Sequence, residues 1–308
     1  MQAFAIQFGL VALVVTACVT GPVIGAFFLT RRKRLARARR RSPIGINLLR
    51  GPGHTLREQL DESTVDLAMD LTLLIVLPLM VLTVFFGHSQ LLGLPRTLKL
   101  APVYLVFAVG CIAFVVVKLL RAGERLDKLK AGYDAELAVG QELDQLMRQG
   151  AAVFHDVPGE NFNIDHVVVA SSGVFAVETK GFTKLNRGRG KADATVVFDG
   201  ESLSFPTWTT REPLEQSERQ AKWLANWLSR AVAEDIGVQP VLALPGWWVE
   251  RSQRSAVLVL SGKELPWLLK KQGVAPLTAD QAQRVAHQVE QRCRTVAPRY
   301  REDSKKAA

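Results

Sequence analysis

Three long apolar runs in the first 120 residues constrain the chain more than any other feature of its sequence. They cover residues 3–30, 66–87 and 100–120, and each carries at most two charged side chains. About 20 apolar residues are enough for a helix to cross a hydrocarbon core ~30 Å thick. The sequence therefore predicts an all-α transmembrane region of about three helices over residues 1–120.

The basic residues around these runs predict how they are oriented. The arginines follow the first apolar run instead of preceding it, which favours a retained anchor over a cleaved signal peptide. Residues 31–57 contain ten Lys and Arg, whereas residues 87–99 contain two, and short loops rich in these residues stay in the cytoplasm. We therefore expect a multi-pass plasma membrane protein whose part after residue 120 is cytoplasmic.

The net charge of +10 is concentrated in this N-terminal region. Residues 1–130 contain 17 Lys and Arg against 7 Asp and Glu, while the remaining residues contain 22 of each class. The run Arg31–Arg41 is expected to contact the bilayer through anionic lipid headgroups, at ~1 kcal/mol per basic residue, although contact with nucleic acid stays open. The basic isoelectric point thus gives no support for nucleic-acid binding by the C-terminal part.

Beyond a charged helical linker at residues 121–130, the pattern changes to alternating helices and short strands, which is typical of an α/β domain. Helices are predicted at 135–149 and 212–234, with a last helix opening at a Thr278–Gln281 capping box. The predicted strands are 151–157, 164–170, 174–179, 238–244 and 256–260. The turn signals Ser171-Ser172-Gly173 and Asp199-Gly200 predict two hairpins. The domain is expected to span residues 131–298, followed by a flexible tail at 299–308.

Two carboxylates and a lysine are expected at neighbouring strand ends. Asp165 begins one strand, and Glu178 and Lys180 end the next, where strand alternation places them on one face. The hairpin would bring Asp165 beside Glu178. Carboxylate oxygens bind Mg²⁺, which lowers the pKa of a bound water, and a lysine can stabilise developing negative charge. From spacing alone, a solvated and charge-paired strand explains the pattern equally well.

Four ordered sequence blocks resemble a known family. They are Gly132-Tyr-Asp-Ala-Glu136, Asn163-Ile-Asp-His166, Gly173-Val-Phe-Ala-Val-Glu-Thr-Lys180 and Glu212-Pro-Leu-Glu-Gln216. Together they resemble the nuclease-related (NERD) domain, a member of the PD-(D/E)XK nuclease-like fold, over about residues 131–244. The resemblance implies a mixed sheet flanked by helices.

The resemblance also implies roles for individual residues. It implies that Asp165, Glu178 and Glu136 are ligands of Mg²⁺, that Lys180 is the catalytic lysine, and that Gln216 is a supporting polar residue of the catalytic site. Asp165 and Glu178 would thus be both catalytic and metal-binding. The family usually has a glycine directly before the first glutamate, where this chain has Ala135.

Several other residues near these blocks have more than one interpretation. His166 follows Asp165 directly, so alternation sends it to the opposite face, where a structural role is favoured. Four basic residues follow the motif in one loop and would contact phosphates or lie in solvent: Lys184, Arg187, Arg189 and Lys191. Four tryptophans are interpreted as packing residues: Trp223, Trp227, Trp247 and Trp248.

The resulting hypothesis is a membrane-anchored, Mg²⁺-dependent nuclease-like protein that hydrolyses phosphodiester bonds in DNA or RNA. The alternative is a catalytically inactive binding or regulatory module that keeps the nuclease fold at the membrane. The balanced charge of residues 131–308 motivates this alternative, because duplex binding normally depends on a strong electrostatic term. A transporter is the weakest interpretation, because the apolar runs contain few ionisable residues.

Overall fold

The computed structural model describes residues 21, 24–25, 27–32, 43–92, 94–184, 187–270 and 275–298. Most of the predicted first span, the greater part of the basic run and the predicted tail lie outside these residues. The chain divides into two compact units, which are described separately below. The first contains residues 1–47, 68–120 and 297–308, and the second contains residues 48–67 and 121–296.

Two long helices carry the apolar runs that the structure describes. Helix α1 spans His54–Leu92 and helix α2 spans Leu94–Asp144. Each contains a segment long and apolar enough to cross a membrane. Within the first unit, Lys118 Nζ lies 2.6 Å from Asp70 Oδ1, and only 3% of Asp70 is exposed. This buried acid is therefore paired with a lysine.

The second unit is built on a five-stranded mixed sheet with the order β1-β2-β3-β7-β9. Its strands are β1 (Ala152–Pro158), β2 (Asn163–Ala170), β3 (Gly173–Thr179), β7 (Val238–Leu244) and β9 (Leu258–Ser261). Strands β1, β2 and β3 are antiparallel, whereas β3, β7 and β9 are parallel. The predicted hairpin after β2 is confirmed, since Ala170 pairs with Gly173.

A second, four-stranded sheet has the order β6-β5-β4-β8. It contains β4 (Thr195–Phe198), β5 (Leu203–Ser204), β6 (Thr209–Thr210) and β8 (Trp248–Arg251). The predicted turn at Asp199-Gly200 joins β4 and β5, because Asp199 Oδ1 accepts hydrogen bonds from the backbone N–H groups of Glu201 and Ser202. The sequence did not predict β6 or β8.

Helices cover both faces of the five-stranded sheet, as predicted for the fold. Val174 and Ala176 of β3 contact the cluster formed with α3 (Glu212–Val232) and α4 (Ala279–Cys293). Their neighbours Phe175 and Val177 contact the opposite cluster, which contains the end of α2 and two 3₁₀ helices, Gln145–Gln149 and Gly262–Lys270. Helix α4 begins at the predicted capping box, where Thr278 and Gln281 exchange hydrogen bonds.

Helix α2 includes both the predicted linker and most of the predicted first helix of the domain. Residues 121–130 lie within it, and the helix predicted for residues 135–149 ends at Asp144 before continuing as a 3₁₀ turn. The second unit also includes residues 48–67, which the sequence had assigned to the membrane region. The domain limits of 131–298 stay a prediction.

Candidate active site

The end of β3 places Glu178 and Lys180 together below helix α3. Glu178 alternates with Val174 and Ala176 and is buried on the same side of the sheet. Lys180 Nζ lies 2.8 Å from Glu178 Oε1 and donates a hydrogen bond of 2.9 Å to Gln216 Oε1 on α3. The backbone N–H of Lys180 also donates to Ala243 O at 3.0 Å, which holds the lysine at the end of the strand pair.

Asp165 reaches the same centre from β2. Its Oδ2 accepts a hydrogen bond of 2.6 Å from the backbone N–H of Thr179, the residue between Glu178 and Lys180. Burial raises the pKa of Asp165 well above its usual range, and the negative charges of Glu178 and Glu136 raise it further. The hairpin therefore brings Asp165 and Glu178 close together, as the sequence predicted.

Helix α2 contributes Glu136 because the chain after β3 packs closely against it. A Cβ atom on Gly181 would lie 2.7 Å from both Ala131 O and Ala135 Cβ, so only glycine allows this approach. Burial raises the pKa of Glu136 to about 8, and the charges of Asp156 and Glu178 contribute. Ala135 is buried at this contact, and its small side chain occupies the position of the family's glycine.

The donors of this centre are suited to a hard divalent cation. Glu136, Asp165 and Glu178 supply three carboxylates against the single positive charge of Lys180. Glu178 Oε2 is buried and has no hydrogen-bond partner among the described residues. An oxygen-binding cation such as Mg²⁺ would satisfy that atom and offset the excess charge.

In the described arrangement, the three carboxylates are not positioned to bind one cation together. No group of three or more His, Cys, Asp or Glu side chains in the described part of the chain is positioned to hold a metal ion. Two of the oxygens already have partners, since Glu178 Oε1 faces Lys180 and Asp165 Oδ2 accepts from Thr179. Metal binding would therefore require a rearrangement of the predicted ligand side chains.

Asp156 is a further carboxylate at this centre that the sequence did not identify. It lies on β1, is 3% exposed, and has a φ of 50°, a left-handed conformation that is uncommon for residues other than glycine. Its Oδ2 accepts hydrogen bonds from Arg50 Nη1 at 2.9 Å, Thr55 Oγ1 at 2.7 Å and Thr55 N at 3.1 Å. Both partners belong to residues 48–58, here named the clasp segment. The turn signal Gly51-Pro52-Gly53 is the sequence feature that could have indicated this segment.

His166 faces away from the carboxylates, in agreement with the expected structural role. Its Nδ1 lies 2.8 Å from His155 Nδ1, and His155 Nε2 lies 3.0 Å from Asp144 Oδ1. Burial lowers the pKa of His155 and lowers that of His166 well below its usual value. The two histidines are therefore neutral parts of the core near neutral pH.

A cavity of about 1040 Å³ opens between α2 and the loop after β7. Its walls include Val139, Glu142, Lys191, Trp247, Trp248 and Lys263, and none of the predicted site residues lines it. One wall residue contacts the segment after the motif, because Trp247 Nε1 donates to Phe182 O, two residues after Lys180. The cavity is therefore a separate feature of the domain from the carboxylate centre.

The tryptophans divide into two groups, which corrects part of the sequence interpretation. Trp223 and Trp227 stack with ring centroids 6.1 Å apart and Trp247 is buried, so these three are packing residues as predicted. Trp248 is 52% exposed in the cavity, with Lys191 Nζ 3.8 Å from its ring centroid. The packing role predicted for Trp248 is therefore wrong, because β8 turns its side chain outward.

The basic loop is partly ordered by an acid that follows it. The backbone N–H groups of Arg187 and Arg189 donate to Asp193 Oδ2 at 2.8 and 3.0 Å. Lys184 Nζ donates to Gly246 O, beside Trp247. Lys191 lies in the cavity wall and Lys184 contacts Gly246 of that wall, while residues 185–186 lie outside the described part.

A mixed sheet covered by helices, with carboxylates and a lysine at adjacent strand ends, defines a protein of the nuclease-like class. Residues 131–245 match the family model described as the nuclease-related domain, NERD. The chain therefore contains a nuclease-related domain, which confirms the family and the fold predicted from its sequence blocks. Comparison with curated proteins and with solved structures gives no significant match.

Proposed function

We propose that this chain is a membrane-anchored, Mg²⁺-dependent nuclease that hydrolyses phosphodiester bonds in nucleic acid. The observation that carries the proposal is the position of Lys180 Nζ, between Glu178 Oε1 and Gln216 Oε1 and beside Asp165, inside the matched domain. A charge-paired strand exposed to solvent does not explain this arrangement, because Glu178 is 3% exposed and has an unpaired oxygen.

The three carboxylates would hold the cation. Glu136, Asp165 and Glu178 are the proposed ligands, and their side chains would have to rotate from the described arrangement to bind a common ion. When bound, Mg²⁺ supplies a water of lowered pKa and neutralises charge on the attacked phosphate. The raised pKa values of Glu136 and Asp165 support this role, because a nearby divalent charge would stabilise their ionised forms.

Lys180 would act as a positive charge and not as a base. Burial lowers its pKa, but the charge and hydrogen bond of Glu178 raise it by more, so that its pKa lies above the usual lysine value. The protonated amine would stabilise the negative charge that develops on the phosphate oxygens during attack. Gln216 would hold the amine in position by accepting a hydrogen bond from it.

The neighbouring cavity supports nucleic acid as the partner. Lys191 and Lys263 line it and would contact phosphates, while the exposed ring of Trp248 offers a surface on which a base can stack. Trp247 of the same wall is hydrogen-bonded to Phe182, two residues after Lys180, which links this wall to the chain segment that follows the predicted lysine.

Membrane anchoring is supported by the two apolar helical segments. Their apolar side chains are largely exposed, as expected if lipid covers them. We propose that the nuclease-related domain lies in the cytoplasm and that the run Arg31–Arg41 contacts anionic lipid. The full chain should therefore stay in the membrane fraction after an alkaline carbonate wash and be released by detergent.

The proposed hydrolysis is tested with the full chain purified in detergent. Wild type should cleave single- or double-stranded DNA or RNA in the presence of Mg²⁺ and lose this activity with EDTA. Lys180→Ala should abolish cleavage, whereas Lys222→Ala, which removes an exposed lysine of α3, should not change it. Equal cleavage by wild type and Lys180→Ala would refute the assignment.

The alternative function is a non-hydrolytic binding module at the membrane. It is favoured by the balanced charge of residues 131–308, which provides little electrostatic attraction for a duplex. This function predicts salt-dependent binding of nucleic acid by wild type and Lys180→Ala alike, with no cleavage by either.

A further inference from the structure

The clasp segment, residues 48–58, lies outside the matched family region and yet contacts the candidate active site. We propose that Gly53 of this segment is part of that site, and that Arg50 and Asp156 are positioning residues that hold it against the Glu136 carboxylate. This inference rests on the proposed function, because it assigns a role toward one of the proposed metal ligands.

The clasp segment is fixed to the end of the domain at its first residues. Leu48 and Val296 form an antiparallel bridge, with N–H···O distances of 2.8 and 3.2 Å. The backbone N–H of Arg50 donates to Cys293 O at 3.2 Å, and its Nε donates to Thr295 Oγ1 at 2.8 Å. These bonds attach the start of the segment to the end of the same compact unit.

Asp156 joins the clasp segment to the sheet. Its carboxylate accepts from the side chain of Arg50 and from both the backbone and the hydroxyl of Thr55. Asn163 Nδ2 donates to the same hydroxyl at 2.7 Å, which ties in the first residue of β2. A non-glycine residue in a left-handed conformation persists when its surroundings fix it, and such residues concentrate at functional sites.

The clasp segment meets helix α2 at the turn that carries Glu136. Gly53 has a φ of 65°, and a Cβ on it would lie 2.7 Å from Tyr133 Cδ2 and 3.7 Å from Glu136 Oε2. Burial raises the pKa of Glu136, and a hydrogen bond from the Gly53 backbone lowers it in part, in keeping with the position of Gly53 beside this carboxylate. Pro52 packs against Gly140 so closely that a Cβ there would lie 2.7 Å from Pro52 Cγ.

These contacts allow the clasp segment to orient the Glu136 carboxylate. Glu136 is on a helix, whereas Asp165 and Glu178 are on strands, so its carboxylate must be aimed at them from a separate element. A backbone donor fixed on the side of Gly53 restricts the rotation of that carboxylate. Partners that orient a metal ligand in this way affect metal affinity as well as activity.

Two glycines of the clasp segment provide a matched pair of variants. Gly53→Ala adds a methyl group that contacts Tyr133 and requires a left-handed alanine, whereas the same change at Gly51 meets no atom within 4 Å. We expect Gly53→Ala in the full chain to bind Mn²⁺ about 10-fold or more weakly and to lower kcat with little change in KM. Gly51→Ala should match wild type in both measurements.

A second pair of variants separates positioning from folding. Arg50→Ala removes the ion pair with Asp156, and Arg50→Lys keeps a positive charge that can reach it. If Arg50 is a positioning residue, Mn²⁺ affinity falls in Arg50→Ala and is partly restored in Arg50→Lys. A purely structural role would lower the thermal unfolding midpoint and leave the Mn²⁺ affinity of the folded protein unchanged.

The outcomes distinguish this inference from the proposed function. If Gly53→Ala binds Mn²⁺ with wild-type affinity, the inference is overturned, but the proposed nuclease function is not affected. If wild type binds Mn²⁺ but cleaves no nucleic acid, the proposed nuclease function is overturned. The difference in Mn²⁺ affinity between Gly53→Ala and Gly51→Ala would still test the role of the clasp segment. Absence of Mn²⁺ binding by wild type would refute both.

Discussion

Gln216 Oε1 accepts a hydrogen bond from Lys180 Nζ over 2.9 Å, and this contact links helix α3 to the end of β3. The same amine lies 2.8 Å from Glu178 Oε1, so the lysine is held from two sides. Two anchors fix its direction, whereas one would let the flexible side chain rotate.

Replacing Gln216 should therefore weaken the proposed reaction without abolishing it. Gln216→Ala leaves the ion pair of Lys180 with Glu178 and removes the second anchor. We expect kcat to fall roughly 10-fold with KM nearly unchanged, since one positioning contact is lost. Steady-state cleavage assays measure this, with Glu218→Gln on the exposed face of the same helix as the control. A loss as complete as that of Lys180→Ala would show that Gln216 does more than position the lysine.

Trp248 should contribute to substrate binding. Its ring is 52% exposed in the cavity, and base stacking on an aromatic ring contributes about 1–3 kcal/mol. Trp248→Ala should therefore raise the Kd for single-stranded nucleic acid about 5- to 150-fold, with kcat unaffected. Trp267→Ala is the matched control, because Trp267 is 59% exposed beside Lys270 but does not line the cavity. Equal Kd values for both variants would argue against stacking on Trp248.

Glu136 should make the metal-free protein less stable at alkaline pH. Its pKa in the folded chain is about 8, well above the ordinary value of 4.5. The folded state therefore binds an extra proton between these values, and the associated stability is lost as the pH rises through about 8. Without divalent metal, the free energy of unfolding should fall between pH 6 and 9, and Glu136→Gln should flatten this slope. Denaturant titrations at several pH values test this, with Glu218→Gln retaining the wild-type slope.

The buried histidine pair should have the opposite dependence on pH. Burial lowers the pKa of both His155 and His166, so the unfolded chain binds protons more readily than the folded one. Their contribution to stability is present above the unfolded pKa of ~6.5 and is lost as the pH falls below it. The carboxylates of the centre act with the opposite sign and are common to both proteins, so the test is the difference in urea midpoint between wild type and His166→Leu, which should shift against wild type from pH 7 to pH 5.5. A difference that stays constant over this range would exclude the pair as a source of pH dependence.

Local sequence patterns were enough to predict the strands that carry the centre. Glu178 and Lys180 follow a buried alternating strand, and the turn at Gly173 returns the chain so that Asp165 approaches Thr179. These positions depend on neighbours that are close in sequence, and they can therefore be predicted from local patterns. Gln216 and Glu136 came from the resemblance, since nothing local connects them to the strands.

Contacts between distant parts of the chain could not be predicted in this way. Arg50 and Asp156 are 106 positions apart, and Arg50 was counted among the basic residues that orient the membrane region. No alternation rule predicts the left-handed conformation of Asp156. The exposure of Trp248 depends on β8, which pairs in parallel with β4 far earlier in the chain. All three features arise from tertiary structure.

The bridge between Leu48 and Val296 also has a consequence for how the protein is made. The compact unit takes its first residues from 48–67 and the rest from 121–296, and the two apolar helical stretches come between them in the chain. Synthesis proceeds from the N-terminus, so residues 48–58 must wait until Asp156 and finally Val296 have emerged before their contacts can form. Such late pairing raises the contact order and slows the final folding step. The domain therefore completes its fold only after the intervening helices have left the ribosome, and the candidate site cannot form before the two apolar helical stretches have been synthesised.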